Sequence, residues 1–244
     1  ADTNPGPDTV KVGPGEFVMS SPVFLDSFGP DNQLTLNGSG PSTVLKGSDP
    51  TDPEIHFHAP AGSSINSLTI SITDEGPTSG KRGLVLTGDA PVANDLDVNF
   101  VSGATGDKTT GVVLQDGATL KNSRVNLYVP NASLVNTAVA STGQGTQTVQ
   151  GSTLTAFRDV DQRNTSGTVE VRKSALIAIG VGGLNQGGTL NIRDSVIVNP
   201  YGNGDGIFAS SSGAFSDTLV EGTTMLGTPT AGPTPTVGVV AQAA

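Results

Sequence analysis

A degenerate repeat is the feature that most constrains how this 244-residue chain folds. Four segments open with Gly and an apolar residue, pass through a small-residue turn and close with an alternating apolar strand. They begin at Gly83, Gly111, Gly183 and Gly206. A unit of this length cannot bury its inner face alone, so the repeat indicates units that stack and share one core.

The spacing of the apolar anchors in the closing strands predicts coils of about 21–29 residues. Successive anchors lie 28, 29, 29, 22, 21 and 23 residues apart, and they are Leu68, Leu96, Val125, Leu154, Leu176, Ile197 and Val220. The apolar runs alternate with period two, and no stretch has convincing helical periodicity. We therefore predict an all-β, single-domain, right-handed parallel β-helix with three short strands per coil. An extra copy at 132–140 is interpreted as a larger coil or an insertion.

Two polar columns are predicted to run up the stack, because equivalent residues of stacked coils lie about 4.8 Å apart. The first is an amide column of Asn66, Asn94, Asn122 and Asn136. The second is a hydroxyl column of Ser123, Ser152, Ser174, Ser195 and Thr218. Side chains of this kind satisfy backbone groups at turns, so a structural role is favoured over a catalytic one.

Two N-terminal segments, DTVKVGPGEF at 8–17 and LTLNGSGPSTVLKG at 34–47, resemble the opening coils of the pectin-lyase-like superfamily of secreted β-helix proteins. The later G-T-L-x-I-x-D-S-x-I pattern resembles the coil repeats of that superfamily. The resemblance implies the fold over nearly the whole chain. Its members include pectate lyases, pectin methylesterases, polygalacturonases, adhesin passengers and phage tailspikes, so the fold alone does not choose a function.

The chain is divided into a β-helix over 1–227 and a Pro/Thr-rich segment over 228–244. The second part is interpreted as a linker followed by a last or truncated coil strand.

Composition excludes several classes of function. A formal net charge of −10 argues against nucleic-acid partners and anionic membranes, whereas it suits calcium or a neutral glycan. The absence of cysteine excludes disulfides, thiol catalysis and thiolate metal sites. No apolar run reaches the length of a membrane span, so no membrane insertion is expected.

The start ADTNPGP, without Met, is typical of a chain after signal-peptide cleavage or of a trimmed chain, and favours a secreted or cell-surface protein.

The stretch EIHFH holds both histidines of the chain. On a strand, Glu54, His56 and His58 share the outer face while Ile55 and Phe57 point to the core. These are zinc-ligand types, but alternate Cβ atoms diverge, about 6.6–7 Å apart, and no third histidine exists. Ordinary exposed residues on a half-buried strand are therefore favoured over a metal site, and no cofactor is expected.

The turn FRDVDQRN packs Arg158, Asp159, Asp161 and Arg163 into six residues and supplies the candidate catalytic groups. The superfamily resemblance implies what such groups would do. Its lyases use carboxylates to hold calcium and an Arg or Lys as base, so calcium is implied only if the chain is a lyase. No family motif matches residue by residue, so no role is transferred. Local Arg–Asp pairing on a solvated turn is the favoured alternative.

A third patch is a candidate site for a cation, and Arg172 and Arg193, which lie 21 residues apart and are expected to stack, are a candidate site for an acidic sugar. Salt-bridged ladders are favoured over both. A 29-residue coil would place Asp95 beside Arg124 and Asp97 beside Asn126. Asp97 and Asn126 are therefore candidate ligand-binding residues. Tyr201, in a Gly/Asn-rich loop, is a further candidate as a platform for sugar stacking.

Two functions follow from these residues. The favoured one is an extracellular β-helix scaffold without catalysis, structural, adhesive or glycan-binding, with a polysaccharide or cell-surface glycan as partner. The alternative is a polysaccharide lyase or pectin-esterase-like enzyme acting on an acidic polysaccharide. Convergence of the turn 158–163 with neighbouring coils in a cleft would favour the enzyme. The sequence predicts no oligomeric state.

Overall fold

The structure, a computed structural model, describes residues 6–27, 31–47, 55–74, 81–102, 109–128, 136–163, 166–200, 207–211, 216–227 and 239–243. Within these ranges the regular structure is β-strand, apart from one 3₁₀ turn at Gly40–Ser42. All of the strand pairings are parallel, and paired residues are 21 to 32 positions apart, from Thr137 with Arg158 to Val23 with Ile55. The chain is a parallel β-helix, as the repeat predicts.

Each turn of the chain around the stack is a coil, and the described strands form nine of them. Coils 1 to 3 contain β1 (Asp8–Lys11), β2 (Gly15–Met19), β3 (Val23–Asp26), β4 (Leu34–Asn37), β5 (Thr43–Gly47), β6 (Ile55–Ala59), β7 (Ser64–Asp74) and β8 (Arg82–Gly88). Coils 4 to 6 contain β9 (Val92–Ser102), β10 (Thr110–Leu114), β11 (Thr119–Lys121), β12 (Arg124–Tyr128), β13 (Thr137–Ser141), β14 (Thr146–Gln150) and β15 (Thr153–Gln162). Coils 7 to 9 contain β16 (Thr168–Arg172), β17 (Ala175–Asn185), β18 (Gly188–Arg193), β19 (Val196–Asn199), β20 (Ile207–Ser211), β21 (Ser216–Glu221), β22 (Thr224–Gly227) and β23 (Val239–Ala243).

The strands stack into three parallel sheets. Sheet A contains β1, β4, the first parts of β7 and β9, β11, β14, β16, β18 and β21. Sheet B contains β2, β5, the second parts of β7 and β9, β12, the first parts of β15 and β17, β19 and β22. Sheet C contains β3, β6, β8, β10, β13, the second parts of β15 and β17, β20 and β23.

The core lies between the three sheets and is filled by the inward-facing apolar residues of each strand. Ile70, Val98, Val125 and Leu154 stack in one column of sheet B and are fully buried. This alternation is the pattern that the sequence shows, because successive side chains of a strand point to opposite faces.

The structure corrects three details of the predicted repeat. Ile197 is aligned with Met225 of sheet B, so Val220, which belongs to sheet A, was the wrong anchor. Leu96 and Val125 are not equivalent, because Val125 pairs with Val98. The apparent extra copy at 132–140 ends in β13, which is the sheet C strand of coil 5.

The corner between sheet A and sheet B is made by a single left-handed residue in coils 3 to 9. The φ angles at these positions lie between 49° and 60°, and the residues are Ser67, Asp95, Asn122, Gly151, Lys173, Asp194 and Gly222. The first two coils have longer corners instead, and that of coil 2 contains the 3₁₀ turn. One left-handed residue turns the chain sharply, although it costs L-residues other than Gly, Asn and Asp about 1–2 kcal/mol.

A buried serine ladder follows the left-handed residues. The N–H of Ser123 donates to Ser152 Oγ at 3.2 Å, and the same bond joins Ser152 to Ser174 and Ser174 to Ser195 at 3.3 and 3.2 Å. Each serine hydroxyl also donates to the carbonyl two residues earlier, at 2.7–3.0 Å. These hydroxyls satisfy the N–H groups that the corner leaves without a backbone partner.

The predicted columns are partly right. The four serines form the ladder, but Thr223 extends it, by accepting from the Ser195 N–H at 3.4 Å, and Thr218 lies elsewhere, on sheet A. Among the predicted amides, Asn122 donates to Asn94 at 3.0 Å. Asn136 does not join them, because it directly precedes β13 in sheet C.

The ladder predicts a specific cost of removing one hydroxyl. We expect Ser174→Ala to lower the free energy of unfolding by about 1–3 kcal/mol, because the buried Ser152 N–H and Arg172 carbonyl each lose a partner. Urea denaturation measures this change. Ser20→Ala, which removes an exposed hydroxyl, is the control and should stay within about 0.5 kcal/mol of the parent. Equal stability of the two variants would contradict the role of the ladder.

The left-handed corner predicts that replacing a lysine by glycine changes the free energy of unfolding in opposite directions at two positions. Lys173→Gly should raise the free energy of unfolding by up to about 1 kcal/mol, because Lys173 has a φ of 50° that glycine adopts without strain. Lys121→Gly, in the regular strand β11, should lower it by about 0.5–1 kcal/mol. Thermal and urea unfolding of the pair would show whether the signs differ; a loss of stability in both would contradict a strained corner.

Candidate functional site

The charged turn of the sequence lies in the sheet C part of β15, in coil 6. Asp161 is on the outer face of the sheet, between Ala140 of coil 5 and Leu184 of coil 7. Its side chain is fully buried, whereas those of Arg158 and Arg163 are 26% and 38% exposed. The two arginines therefore cover the carboxylate.

The negative charge of the Asp161 carboxylate is balanced by neighbouring side chains. Arg163 Nε lies 2.7 Å from Asp161 Oδ2, and Arg158 Nη1 lies 3.6 Å from the same atom. Gln186, one coil above, donates from Nε2 to Oδ1 at 2.7 Å. Arg163 also reaches down to Thr137 Oγ1 of coil 5, at 3.4 Å. The cluster thus links three coils, and both carboxylate oxygens have partners.

Asp159 has a different environment, although it is only two residues from Asp161. It is aligned with Gly83, Gly111 and Ala138 of coils 3 to 5. The residue at this position is left out of the pairing between neighbouring strands of sheet C. A Cβ at Gly111 would meet the core side chains Val125 and Leu127. This column therefore faces the interior, and Asp159 is fully buried.

Neither carboxylate oxygen of Asp159 has a hydrogen-bond partner among the described residues. Burial raises the pKa of Asp159 well above its usual value, and the nearby Ala156 backbone offsets this by a smaller amount. The group is therefore held in its neutral form over a wider pH range than an exposed carboxyl. The four candidate catalytic residues do not converge, because Asp159 points away from the cluster that Asp161 forms.

The third patch of the sequence, around Asp95, Asp97 and Arg124, forms a groove of about 220 Å³ on the corner between sheets A and B. It spans coils 2 to 5 and is lined by Pro41, Leu68, Thr69, Asp95, Leu96, Asp97, Asn122 and Arg124. The long corner of coil 2 forms one wall, since Thr69 Oγ1 donates to the Pro41 carbonyl at 3.4 Å. We refer to it as the corner groove.

Register in this patch differs from the prediction by two residues. Arg124 is beside Asp97, not Asp95, and Asn126 is beside Asn99, not Asp97. Consequently Asp97 lines the corner groove, whereas Asn126 is not among its lining residues. The coil between these strands has 27 residues, not 29.

Charges in the corner groove are paired but accessible. Arg124 Nε lies 3.0 Å from Asp97 Oδ1, and its Nη2 contacts Oδ2. This hydrogen bond, and then the charge of Asp97, raise the pKa of Arg124 above its usual value. The arginine side chain is 62% exposed. Asn99 donates to Asp97 Oδ1 at 3.0 Å, and Ser67 donates to Asp95 Oδ2 at 2.8 Å.

The histidine strand is β6, and its side chains alternate as the sequence predicts. Ile55 and Phe57 are fully buried, while His56 and His58 are half-buried on the outer face. The His56 ring lies 5.7 Å from that of Phe24. Among the residues that the structure describes, no three His, Cys, Asp or Glu side chains form a group able to hold a metal ion.

Two predicted site residues, Glu54 and Tyr201, lie outside the described residues. Conversely, the corner groove contains Thr69, Pro41 and Asn122, which the sequence did not mark as site residues. The only available signal for Asn122 was its place in the amide column. Nothing in the sequence showed that the turn at Pro41 would meet coil 3.

Comparisons with known proteins add little. No protein-family model matches the chain, and no curated protein matches it. Among solved structures, the Streptococcus pneumoniae surface protein and adhesin PfbA is similar with a TM-score of 0.26 and 12% identity, over 96% of this chain and 91% of that one. No helix in the described part of the chain is long and apolar enough to span a membrane.

The buried Asp159 predicts an unusual pH dependence. Its pKa is raised in the folded chain and near 3.8 in the unfolded chain, so the folded state holds a proton that the unfolded state releases. The contribution of Asp159 to the free energy of unfolding should therefore fall as the pH rises above about 4, by at most about 1.4 kcal/mol per pH unit, until the folded pKa is passed.

Asp159→Ala tests this dependence, because coil 5 already has Ala138 at the equivalent position. We expect the variant to be more stable than the parent at pH 7, and the gain to shrink as the pH falls towards 4. Denaturation curves across this range measure the gain. Asp217→Ala, at an exposed carboxyl of sheet A, serves as the control with no such trend. A variant less stable than the parent at pH 7 would mean that the carboxyl is ionised and paired.

Proposed function

We propose that this chain is a non-catalytic, extracellular β-helix scaffold that binds an extended glycan along the corner groove. The observation that carries the proposal is the placement of Asp95, Asp97, Asn122 and Arg124 on successive coils of one groove. Together they offer carboxylate and amide acceptors beside guanidinium and amide donors, at rungs about 4.8 Å apart. Sugar hydroxyls, which both donate and accept, fit such a set.

Openness of the groove also supports an extended ligand. Arg124 is 62% exposed and lies on the outer face of sheet B. Beyond it on sheet B, the neighbouring outer positions hold the neutral polar residues Ser71, Asn99, Asn126 and Thr155 in one column. A chain molecule that leaves the groove along the stack would therefore meet more hydrogen-bonding groups.

The charged turn favours the non-catalytic interpretation over the alternative of a lyase or esterase. Such an enzyme requires carboxylates and a basic group that reach the substrate. Here Asp159 and Asp161 are both fully buried, and Asp161 is paired with two arginines and Gln186. A structural cluster of this kind stabilises coils 5 to 7 without reacting.

A polysaccharide panel tests the proposal. It contains pectate, methylated pectin, alginate and neutral glycans, with and without calcium. Binding is measured by depletion of protein onto insoluble glycan and by titration calorimetry. Turnover is followed by absorbance of unsaturated products, released methanol and reducing ends. We expect binding to at least one glycan and no turnover.

Arg124→Ala then locates the binding site. It should raise the Kd for the bound glycan by about tenfold, because it removes the exposed donor of the groove. Arg172→Ala is the matched control, since Arg172 is likewise about half exposed and pairs with Glu170 on sheet A, outside the groove. Equal Kd values for the two variants would move the site elsewhere. Turnover on an acidic polymer that Asp161→Asn abolishes would replace this proposal with the enzyme.

A further inference from the structure

The outer face of sheet B changes from polar to apolar inside the solenoid. In coils 3 to 6 its two outer columns hold polar or charged residues, which are Thr69, Asp97, Arg124 and Thr153 in the first column and Ser71, Asn99, Asn126 and Thr155 in the second. In coils 7 and 8 the first column continues as Ala175 and Val196, and the second as Ile177 and Val198. The polar face thus ends between coils 6 and 7.

The apolar side chains of coils 7 and 8 are accessible from outside. Val196 is 37% exposed, and Ala175, Ile177 and Val198 are half-buried. Leu226 of coil 9 continues the second column. We refer to these five residues as the sheet B patch. A contiguous apolar patch on an outer face marks an interaction surface.

The rim of the sheet B patch carries two opposite charges. The corner residue of coil 7 is Lys173 and that of coil 8 is Asp194, and each lies two positions before the first outer residue of its sheet B strand. Both are exposed, and neither forms a salt bridge with another described residue. The corners of coils 6 and 9 are Gly151 and Gly222. The order along the rim is therefore Gly, Lys, Asp, Gly, and reversing this order sets each cation opposite an anion.

We propose that the sheet B patch is the interface of a two-fold symmetric dimer of this chain, in which coil 7 of one copy faces coil 8 of the other. This inference is independent of the proposed glycan binding. The two sheets lie face to face, about 10 Å apart as packed sheets do, and the axis runs parallel to the strands between coils 7 and 8. Ala175 of each copy then faces Val196 of the other, and Ile177 faces Val198.

The rim charges select this orientation. An axis parallel to the strands keeps the two A–B corners on the same side and reverses the order of the coils. Lys173 of each copy therefore lies beside Asp194 of the other, and the pair occurs twice. An axis parallel to the stack would instead separate these charges by the width of the sheet.

Self-complementarity identifies the partner as a second copy of the chain. In a two-fold contact the same surface is used by both copies, so it must match itself in shape and in charge. The sheet B patch meets both conditions, because apolar residues face apolar residues and each Lys173 faces an Asp194. The corner groove, on coils 2 to 5, stays accessible in such a dimer.

The size of the sheet B patch predicts weak association. Four coils at about 4.8 Å and strands of about five residues at about 3.3 Å give a flat face of about 19 by 16 Å. This area of about 300 Å² is less than the roughly 800 Å² that each partner buries in a stable complex. We therefore expect a Kd between about 10 µM and 1 mM.

A charge placed in the sheet B patch is the first test. Sedimentation equilibrium of the parent at up to about 2 mM should show monomers and dimers. Val196→Asp should raise the dimer Kd at least about tenfold, because it brings a carboxylate into an apolar contact. Leu219→Asp is the matched control and should dimerise like the parent, since Leu219 is 42% exposed but lies on the outer face of sheet A.

Exchange of the rim charges tests the orientation. Lys173→Asp and Asp194→Lys each introduce a residue that the adjacent coil already has at its left-handed corner, so both variants should fold. Each variant alone should dimerise about tenfold more weakly, because like charges meet twice across the axis. An equimolar mixture should form heterodimers with a Kd within about threefold of the parent value, since each pair across the axis again has opposite signs.

Rescue in the mixture reports the contact between copies, because mixing leaves the like charges within each copy unchanged. The proposal is overturned if the parent stays monomeric at about 2 mM, if Val196→Asp dimerises like the parent, or if the mixture associates no better than either variant alone. Assembly of the parent beyond dimers would also contradict a closed two-fold contact. Circular dichroism of each variant checks that weaker association does not come from loss of the fold.

Discussion

The rest of the structure depends on the corner between sheets A and B, where one left-handed residue is followed by a buried hydroxyl. The corner turns the chain within a single residue, so the N–H that follows has no carbonyl opposite it in the next coil. The hydroxyl of the stacked serine takes that place, from Ser123 through Ser195 to Thr223. Because the serine hydroxyls are buried, a coil out of register would leave several polar groups unpaired, and the ladder therefore fixes the register of coils 5 to 9.

Register in turn decides the chemistry of the outer faces. Counting from corner to corner, Asp95 is aligned with Asn122, and so Asp97 meets Arg124 in the corner groove. The hydrophobic pattern could not reveal this, because a shift by two residues leaves the same side chains pointing inward. That is why Leu96 and Val125 looked equivalent and the coil between them seemed to have 29 residues.

Strand alternation also predicted the wrong face for Asp159 of the charged turn. Asp159 and Asp161 are two residues apart and would share one face of a regular strand. The strand register of sheet C skips Asp159, however, and its column faces the core while Asp161 stays on the outer face. A dense group of charges that resembles an active site thus becomes two buried carboxyls, of which one is paired and the other has a raised pKa.

The sequence by itself determined the all-β stacking, the residues that fill the core and the serine column, because these follow from apolar alternation and from a repeat that cannot bury its inner face alone. Only the tertiary structure decided which polar groups meet. The two-residue register depends on the length of the coil between Asp97 and Arg124, the wall that Pro41 adds depends on the long corner of coil 2, and the inward turn of Asp159 depends on a skipped position in the pairing of sheet C. Period-two alternation does not reveal how successive coils are aligned, because it records the face that a side chain occupies and not its neighbour in the next coil.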